Sequence, residues 1–194
     1  ASAEPVSVAT AQTIESKNLS FENSITLTAI VDTATNISGA DFNSAALSGF
    51  TTITNETSGS AASLDASELG SGDITLNGSG DFTVTGSVAE LTALSGTTYN
   101  SLDAAGDSLV LLDTAGNIGG LSISEINDLV NTRGLDEIQL SGGGTIELTV
   151  AQTDALGASG AVTDTTQSSN TLTNSGVVLP AFDYIASSGD DLLV

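Results

Sequence analysis

Carboxylates are the groups in this chain whose chemistry could support a function. The 194 residues contain twenty-four Asp and Glu side chains but only two basic ones, Lys17 and Arg133, which gives a formal charge of −22 at pH 7. His and Cys are absent, so the chain lacks the usual general base, the thiolate nucleophile and the nitrogen and sulfur ligands of zinc. Chemistry is left to carboxylates, hydroxyls and the backbone.

The charge balance also excludes several classes of partner. Nucleic acids and anionic membrane surfaces are bound by clusters of Lys and Arg, and this chain has only two basic residues. We therefore expect no nucleic-acid partner. No apolar run approaches the roughly 20 residues that cross a bilayer, so we also expect no membrane insertion.

Catalysis by paired carboxylates is a weak hypothesis for this composition. Two carboxylates can hydrolyse a glycosidic bond, but among twenty-four acids a close pair arises by chance. Sugar-cleaving sites also use aromatic platforms, and the chain has five Phe, two Tyr and no Trp. We predict that the protein is not an enzyme.

Calcium is the cofactor that suits the remaining chemistry, because it takes several oxygen ligands from carboxylates and carbonyls. The candidate ligands are aspartates next to glycine turns or near the end of the chain. For each of them the alternative is an ordinary solvated aspartate in a turn. The candidates are Asp73, Asp81, Asp103, Asp107, Asp190 and Asp191.

Internal repeats indicate how these residues are positioned. Residues 70–76 and 78–84 are near copies in which a Gly-Asp turn leads into an apolar strand. A second unit, Asp-Thr-Ala-x-Asn-Ile, begins at Asp32 and at Asp113, and looser copies follow other strands at irregular spacings. We therefore predict a mainly-β fold, a solenoid-like or sandwich-like stack of short strands with one or two short helices inserted.

The clearest inserted helix is predicted over residues 122–133. Ser122 and Glu125 have the spacing of a capping box, and an apolar stripe follows them. Arg133 lies in the expected last turn and Gly134 can supply the left-handed cap. We expect Arg133 to stabilise the end of this helix, and we prefer that role to anion binding.

A stretch at residues 108–156 resembles the repeat unit of bacterial secreted β-strand-repeat proteins. It combines the run Leu-Leu-Asp-Thr-Ala-Gly-Asn-Ile-Gly-Gly-Leu, a short Ile-Asn-Asp-Leu helix and the closing strand Ile-Glu-Leu-Thr-Val-Ala-Gln. Those proteins are surface-layer-like or adhesin-like, and many are substrates of type I secretion. The resemblance implies an extracellular or cell-surface location. The tandem Gly-Gly-x-Gly-x-Asp motif of calcium β-rolls is absent from this chain.

Composition divides the chain into three parts. Residues 1–20 are predicted to form an N-terminal arm, and residues 21–156 the β-repeat domain. Residues 157–194 combine a linker rich in Ser and Thr with an apolar strand and a closing Asp-Asp-Leu-Leu-Val. That ending resembles a C-terminal type I export signal, and a frayed tail or an edge strand is the alternative.

Assembly with further copies is the function that these features favour. The apolar segment near the C-terminus can fold back on its own domain or add as a strand to a neighbouring copy. We predict a secreted structural protein that forms a filament, layer or matrix by strand exchange or end-to-end stacking, with calcium assisting. The alternative is an adhesin or surface-layer module that binds cell-surface glycan or another cell. The candidate interface residues are Val177, Val178, Leu179, Phe182, Tyr184 and Ile185.

Overall fold

Short strands and short helices alternate along the chain. The computed structural model describes residues 3–17, 26–44, 46–47, 49–102, 105–142, 145–157 and 171–174. The strands in these residues are β1 (Ala3–Val6), β2 (Thr26–Asp32), β3 (Thr52–Asn55), β4 (Ala62–Asp65), β5 (Thr75–Gly78), β6 (Phe82–Gly86), β7 (Ser108–Asp113), β8 (Glu137–Leu140), β9 (Thr145–Leu148) and β10 (Thr171–Asn174).

Helices of four to nine residues lie between the strands. Among the described residues the α-helices are α1 (Val8–Ser16), α2 (Ala34–Ser38), α3 (Ala66–Leu69), α4 (Val88–Ala93), α5 (Gly96–Asn100), α6 (Ala115–Gly119), α7 (Ile123–Asn127) and α8 (Val150–Gly157). A π-helical turn, Asp128–Thr132, follows α7 directly.

The strands form parallel sheets with a regular step along the sequence. One four-stranded sheet has the order β1-β2-β3-β5, a second has the order β4-β6-β7-β8, and β10 pairs with β9. In the first sheet Ala29 lies opposite Thr52 and Thr52 opposite Thr75, a step of 23 residues each time. Every strand pair whose register is described is parallel.

The chain divides into two compact units. Unit 1 comprises Ala1–Val84 and Ala93–Asp107, and unit 2 comprises Thr85–Thr92 and Ser108–Val194. In unit 1, Ile30, Ile53 and Leu76 project from successive strands into the core. In unit 2, Leu111 and Ile138 lie opposite each other on β7 and β8 and are both buried.

Helix starts are encoded by hydroxyl and acidic side chains. Ser7, Thr33, Ser95, Thr114 and Ser122 each precede a helix and accept a hydrogen bond from the backbone N–H three residues later. Such N-caps satisfy one of the four orphan donors at a helix start, and substitution by Ala costs about 1 kcal/mol. The same polar residues that suggest turns in the sequence therefore begin helices here.

The expectation of a mainly-β solenoid or sandwich is wrong, because the fold is mixed α/β with two parallel four-stranded sheets. Parallel neighbours need a crossover connection, and in this chain short helices supply it. The Asp-Thr-Ala-x-Asn-Ile unit, which the sequence places after strands, forms the end of a strand followed by the first turns of α2 and α6. Residues 1–20, expected as an arm, contain β1 and α1.

The helix predicted over residues 122–133 is confirmed, with an irregular second half. Both hydrogen bonds of the capping box are present between Ser122 and Glu125. The α-helix ends at Asn127, and residues Asp128–Thr132 continue as the π-helical turn. This widening places Leu129 and Val130 in the core.

Two adjacent leucines on β7 provide a matched test of the core. Leu111 is fully buried and Leu112 is 38% exposed. We expect L111A to lower the free energy of unfolding by about 2–5 kcal/mol because it leaves a cavity. L112A should change it by no more than about 1 kcal/mol, as measured by urea denaturation followed by circular dichroism. Equal losses in the two variants would contradict the assignment of β7 faces.

Candidate functional site

Asp32 is the last residue of strand β2, and its side chain is hydrogen-bonded to helix α1, which precedes β2 in the sequence. One carboxylate oxygen of Asp32, Oδ2, accepts a hydrogen bond from the backbone N–H of Val8, the first residue of α1, at 3.1 Å. The other, Oδ1, accepts from the backbone N–H of Thr33 at 2.8 Å and from the Asn36 side-chain amide at 2.7 Å. Asp32 is 9% exposed, so these bonds hold a nearly buried charge.

Asp113 repeats this arrangement at the end of β7 in unit 2. Its Oδ2 accepts from the backbone N–H of Val88, the first residue of α4, at 3.1 Å. Its Oδ1 accepts from the Thr114 backbone and the Asn117 side chain, each at 2.7 Å. Sequence analysis found the repeated unit but did not assign these two aspartates a role.

Hydrogen bonding lowers the pKa of both carboxyl groups. Burial opposes ionisation of Asp113, but the bonds from Asn117, Thr114 and Val88 outweigh it and leave the pKa below the ordinary value. The pKa of Asp32 is lowered in the same way against the same cost of burial. A carboxylate at the start of a helix is further favoured by the helix dipole. At neutral pH both carboxyl groups are therefore ionised, and they accept hydrogen bonds from amide groups of the chain itself.

The two aspartates belong to a wider pattern in which a backbone N–H donates to a side-chain oxygen 23–27 residues later. We call these contacts forward hydrogen bonds. Their lengths run from 2.7 to 3.2 Å. Those described are Val8 to Asp32, Ala34 to Thr57, Ile74 to Thr98, Leu76 to Ser101, Phe82 to Asp107, Val88 to Asp113 and Leu109 to Asp136.

Helix carbonyls in unit 2 are satisfied by Arg133 and Gln152. The Arg133 guanidinium donates to the carbonyl oxygens of Leu91 and Thr92, in the last turn of α4, and forms an ion pair with Asp128 at 2.7 Å. We expected Arg133 to stabilise its own helix, and it also caps α4. Gln152 is buried and donates to the carbonyl oxygens of Gly119 and Leu121. No signal in the sequence pairs residues so far apart.

Each unit contains a cavity lined by described residues. In unit 2 a cavity of about 470 Å³ lies beside Asp113 and Asn117, with Thr92, Leu121 and Glu125 on its wall. Hydrogen bonds from the Ser122 side chain and backbone lower the pKa of Glu125. The carboxylates facing this space are therefore already engaged with the chain itself.

The cavity in unit 1 is smaller and more apolar. Its volume is about 270 Å³, and Phe42, Phe50, Leu69 and Ile74 contribute to its wall. Glu68 also lines it, and burial, aided by the nearby charges of Asp65 and Asp41, raises the pKa of this carboxyl group although a backbone hydrogen bond opposes the shift. An apolar group fits this cavity. Its wall offers few charged groups with which a charged ligand could pair.

The proposed calcium ligands do not form a cluster in the described part of the chain. Asp73 is exposed, and a carboxylate oxygen of Asp107 accepts from the backbone N–H of Phe82 at 2.7 Å. The Asp81 carboxylate lies against the backbone of Gly106, whose φ of 127° and close approach leave no room for a Cβ atom. Asp103, Asp190 and Asp191 lie outside the described residues.

Within those limits no group of three or more acidic side chains is placed to hold a metal ion. The carboxylates of Asp32, Asp107 and Asp113 instead accept backbone hydrogen bonds. Calcium binding remains a proposal that depends on residues beyond the described ranges or on sites formed between copies.

The predicted interface residues, Val177 to Ile185, also lie outside the described residues. The two edges of the first sheet, β1 and β5, differ in how they are protected. The β1 edge contains Pro5 and a register shift, and both features disfavour strand addition. On the β5 side, Thr98 and Ser101 accept hydrogen bonds from the backbone N–H groups of Ile74 and Leu76. These edges are therefore poor templates for another strand.

Removing one strand-end carboxylate tests its structural importance. D113A leaves the Val88 and Thr114 N–H groups and the Asn117 amide without this partner, so we expect the free energy of unfolding to fall by about 1–3 kcal/mol. D154A removes an exposed acid on α8 and should change it by less than about 0.5 kcal/mol. Urea denaturation at neutral pH measures both, and a D113A effect as small as that of D154A would contradict the role.

The lowered pKa of Asp113 predicts a pH dependence with a definite sign. Its stabilising contribution is complete above the unfolded pKa, near about 4, and is lost as the pH falls through the folded value. We expect the stability difference between the wild type and D113N to shrink as the pH falls from about 6 to about 2.5. The difference is the proper measure, because protonation also relieves the general repulsion of an acidic chain. A difference that is constant with pH would contradict the lowered pKa.

Comparisons with known proteins do not identify a relative. No family model, curated protein or solved structure matches the chain. Among the described residues, no helix is long and apolar enough to cross a membrane. Function must therefore be inferred from the geometry of the chain itself.

Proposed function

We propose that this chain is a secreted structural protein whose copies assemble, by strand exchange or end-to-end stacking, into an extracellular filament, layer or matrix. The observation that carries the proposal is the prevailing direction of the described bonds from a backbone N–H to a side-chain oxygen 23–27 residues away: seven are forward hydrogen bonds, and one, from Ser63 to Ser38, runs backward. In each forward hydrogen bond the earlier segment supplies the backbone N–H and the later segment supplies the side-chain oxygen. A unit built this way has two different ends.

Different ends favour open assembly. A contact between unlike surfaces is heterologous, and it gives open fibres when the rotation between copies does not close a ring. Parallel sheets supply the same polarity, because the two edges of a parallel sheet are not equivalent. Addition of a further copy would continue a pattern that each unit already uses internally.

The net charge of −22 determines at which salt concentrations two copies can associate. Like-charged copies repel at long range, so association must come from backbone hydrogen bonds and apolar contacts. Salt shortens the range of the repulsion to about 10 Å at 0.1 M. In this proposal salt promotes assembly and calcium assists it by reducing repulsion between carboxylates.

Electron microscopy and analytical ultracentrifugation of the full chain test the proposal. We expect polymers at about 0.5 M salt that dissociate at about 0.01 M, where the screening length reaches about 30 Å. Calcium should lower the salt concentration required, and a chelator should reverse that effect. Calcium and magnesium at matched ionic strength separate specific binding from screening.

Monodisperse monomers under every condition would contradict the proposal. A reproducible hit on a glycan array, obtained with a chain that stays monomeric, would instead support the adhesin or surface-layer alternative. Polymers that are indifferent to salt would contradict the electrostatic part of the proposal while leaving assembly in place.

A further inference from the structure

The cavity in unit 1 has a mainly apolar wall and room for a small molecule. Its volume is about 270 Å³, and Phe42, Leu47, Phe50 and Leu69 on its wall are buried residues. An apolar cavity of about 150 Å³ is enough to hold benzene. The cavity in unit 1 is therefore large enough for one aromatic ring, or a short alkyl chain, that carries a few further atoms.

Two glycines on this wall leave space that a side chain would occupy. Gly49 and Gly72 line the cavity, and neither has the positive φ that favours glycine. A Cβ atom added at Gly49 would meet no heavy atom within 4 Å beyond its chain neighbours. A Cβ atom added at Gly72 would approach the carbonyl oxygen of Leu69, at the ordinary contact distance of 3.9 Å. Neither backbone strain nor packing among the described residues therefore requires glycine at these two positions.

The few charged residues on the wall, Glu68 and Asp73, are both acidic. The Glu68 carboxylate is half-buried and accepts a backbone hydrogen bond from Asp65. Burial and the nearby charges of Asp65 and Asp41 disfavour its ionised form, which is why its pKa is raised. No described Lys or Arg side chain lines the cavity. The negative charge of Glu68 is therefore not balanced by a basic residue on this wall.

This combination favours one class of ligand over the others. A positive charge beside Glu68 would favour the ionised carboxylate, and aromatic rings such as those of Phe42 and Phe50 also attract cations. An anion would meet acidic side chains on a chain whose net charge is −22. A small hydrated cation without an apolar body would lose its water against a mainly apolar wall and gain little there.

We infer that the cavity in unit 1 is a binding site for a small organic cation with an apolar body, of the alkylammonium or arylalkylammonium class. The apolar body contacts Phe42, Phe50 and Leu69, and the ammonium group lies beside the carboxylate of Glu68. Binding of this kind needs no contact between copies. It is therefore independent of the proposed assembly and goes beyond it.

Three matched probes test this site on the full chain. Phenethylammonium carries both the aromatic body and the charge, 2-phenylethanol carries the body alone, and ethylammonium carries the charge alone. Titrations at about 0.1 M salt, where the Debye length is about 10 Å, are followed through the backbone amide signals in ¹H–¹⁵N NMR spectra. We expect phenethylammonium to bind at least about fivefold more tightly than either of the other probes. The largest signal changes should belong to residues of the cavity wall, including Gly49 and Gly72.

Two pairs of variants separate the cavity from the general charge of the chain. E68Q should weaken binding of phenethylammonium about fivefold and leave binding of 2-phenylethanol unchanged. D154N, which neutralises an exposed acid on α8, should change neither. G49V adds a side chain at the cavity wall and should weaken binding of both probes severalfold, whereas G116V on α6, at another position with open space, should not. Gln also completes a capping box, so E68Q should keep α3, and urea denaturation checks that each variant folds.

Several outcomes would overturn the inference. Equal weakening of phenethylammonium binding in E68Q and D154N would show a general attraction of cations to an acidic chain. Equal affinities for phenethylammonium and 2-phenylethanol would remove the preference for a cation, and equal affinities for phenethylammonium and ethylammonium would remove the need for an apolar body. Signal changes spread over the chain, or no binding by the natural chain, would exclude the cavity as the site. None of these results would alter the proposed assembly, which is tested separately.

Discussion

The hydrogen bond from a backbone N–H to a side-chain oxygen about 25 residues later is the interaction on which this structure depends. Helices of four to nine residues are too short to be stable alone in water. Here the first amide of α1, α2 and α4 is satisfied by Asp32, Thr57 and Asp113, respectively. Each of these three helices thus gains stability from the strand or loop that follows it.

The same interaction explains why so acidic a chain can contain buried carboxylates. Asp32 and Asp113 are at most 9% exposed, yet their pKa values are lowered because several donors converge on each group. An unpaired charge at that depth would cost several kcal/mol, whereas a carboxylate accepting backbone N–H groups is stabilised. These acids act as structural acceptors.

Sequence reasoning succeeded where a signal is local and failed where it depends on distant partners. The capping box of Ser122 and Glu125 located α7 because its two residues lie three positions apart. The similar helix starts at Thr33 and Thr114 were not recognised, since five-residue helices show too little apolar periodicity to be distinguished from turns. The fold class was therefore predicted as mainly β, and the parallel pairing of the strands was not predicted, although short strands and sequence repeats were.

In the candidate site, too, local signals could be read from the sequence and contacts between distant residues could not. The repeat beginning at Asp32 and Asp113 was visible, but their acceptor role depends on Val8 and Val88, at 24 and 25 residues' distance. The contact between Arg133 and Leu91 spans 42 residues, so no local spacing of residues in the sequence indicates it. Aspartates chosen as calcium ligands from Gly-Asp turns include Asp107, whose carboxylate accepts a backbone hydrogen bond in the structure.

The direction of the forward hydrogen bonds also imposes an order on folding during synthesis. The amide at the start of α1 has no acceptor until the chain has grown by the 24 residues that bring Asp32. At 5–20 residues per second that delay is about 1–5 s, and it recurs at each later step. Because each forward hydrogen bond spans only 23–27 residues, its acceptor is synthesised shortly after its donor. During synthesis, each of these backbone N–H groups is thus exposed for a short time. It is then satisfied by a side chain of the segment synthesised next.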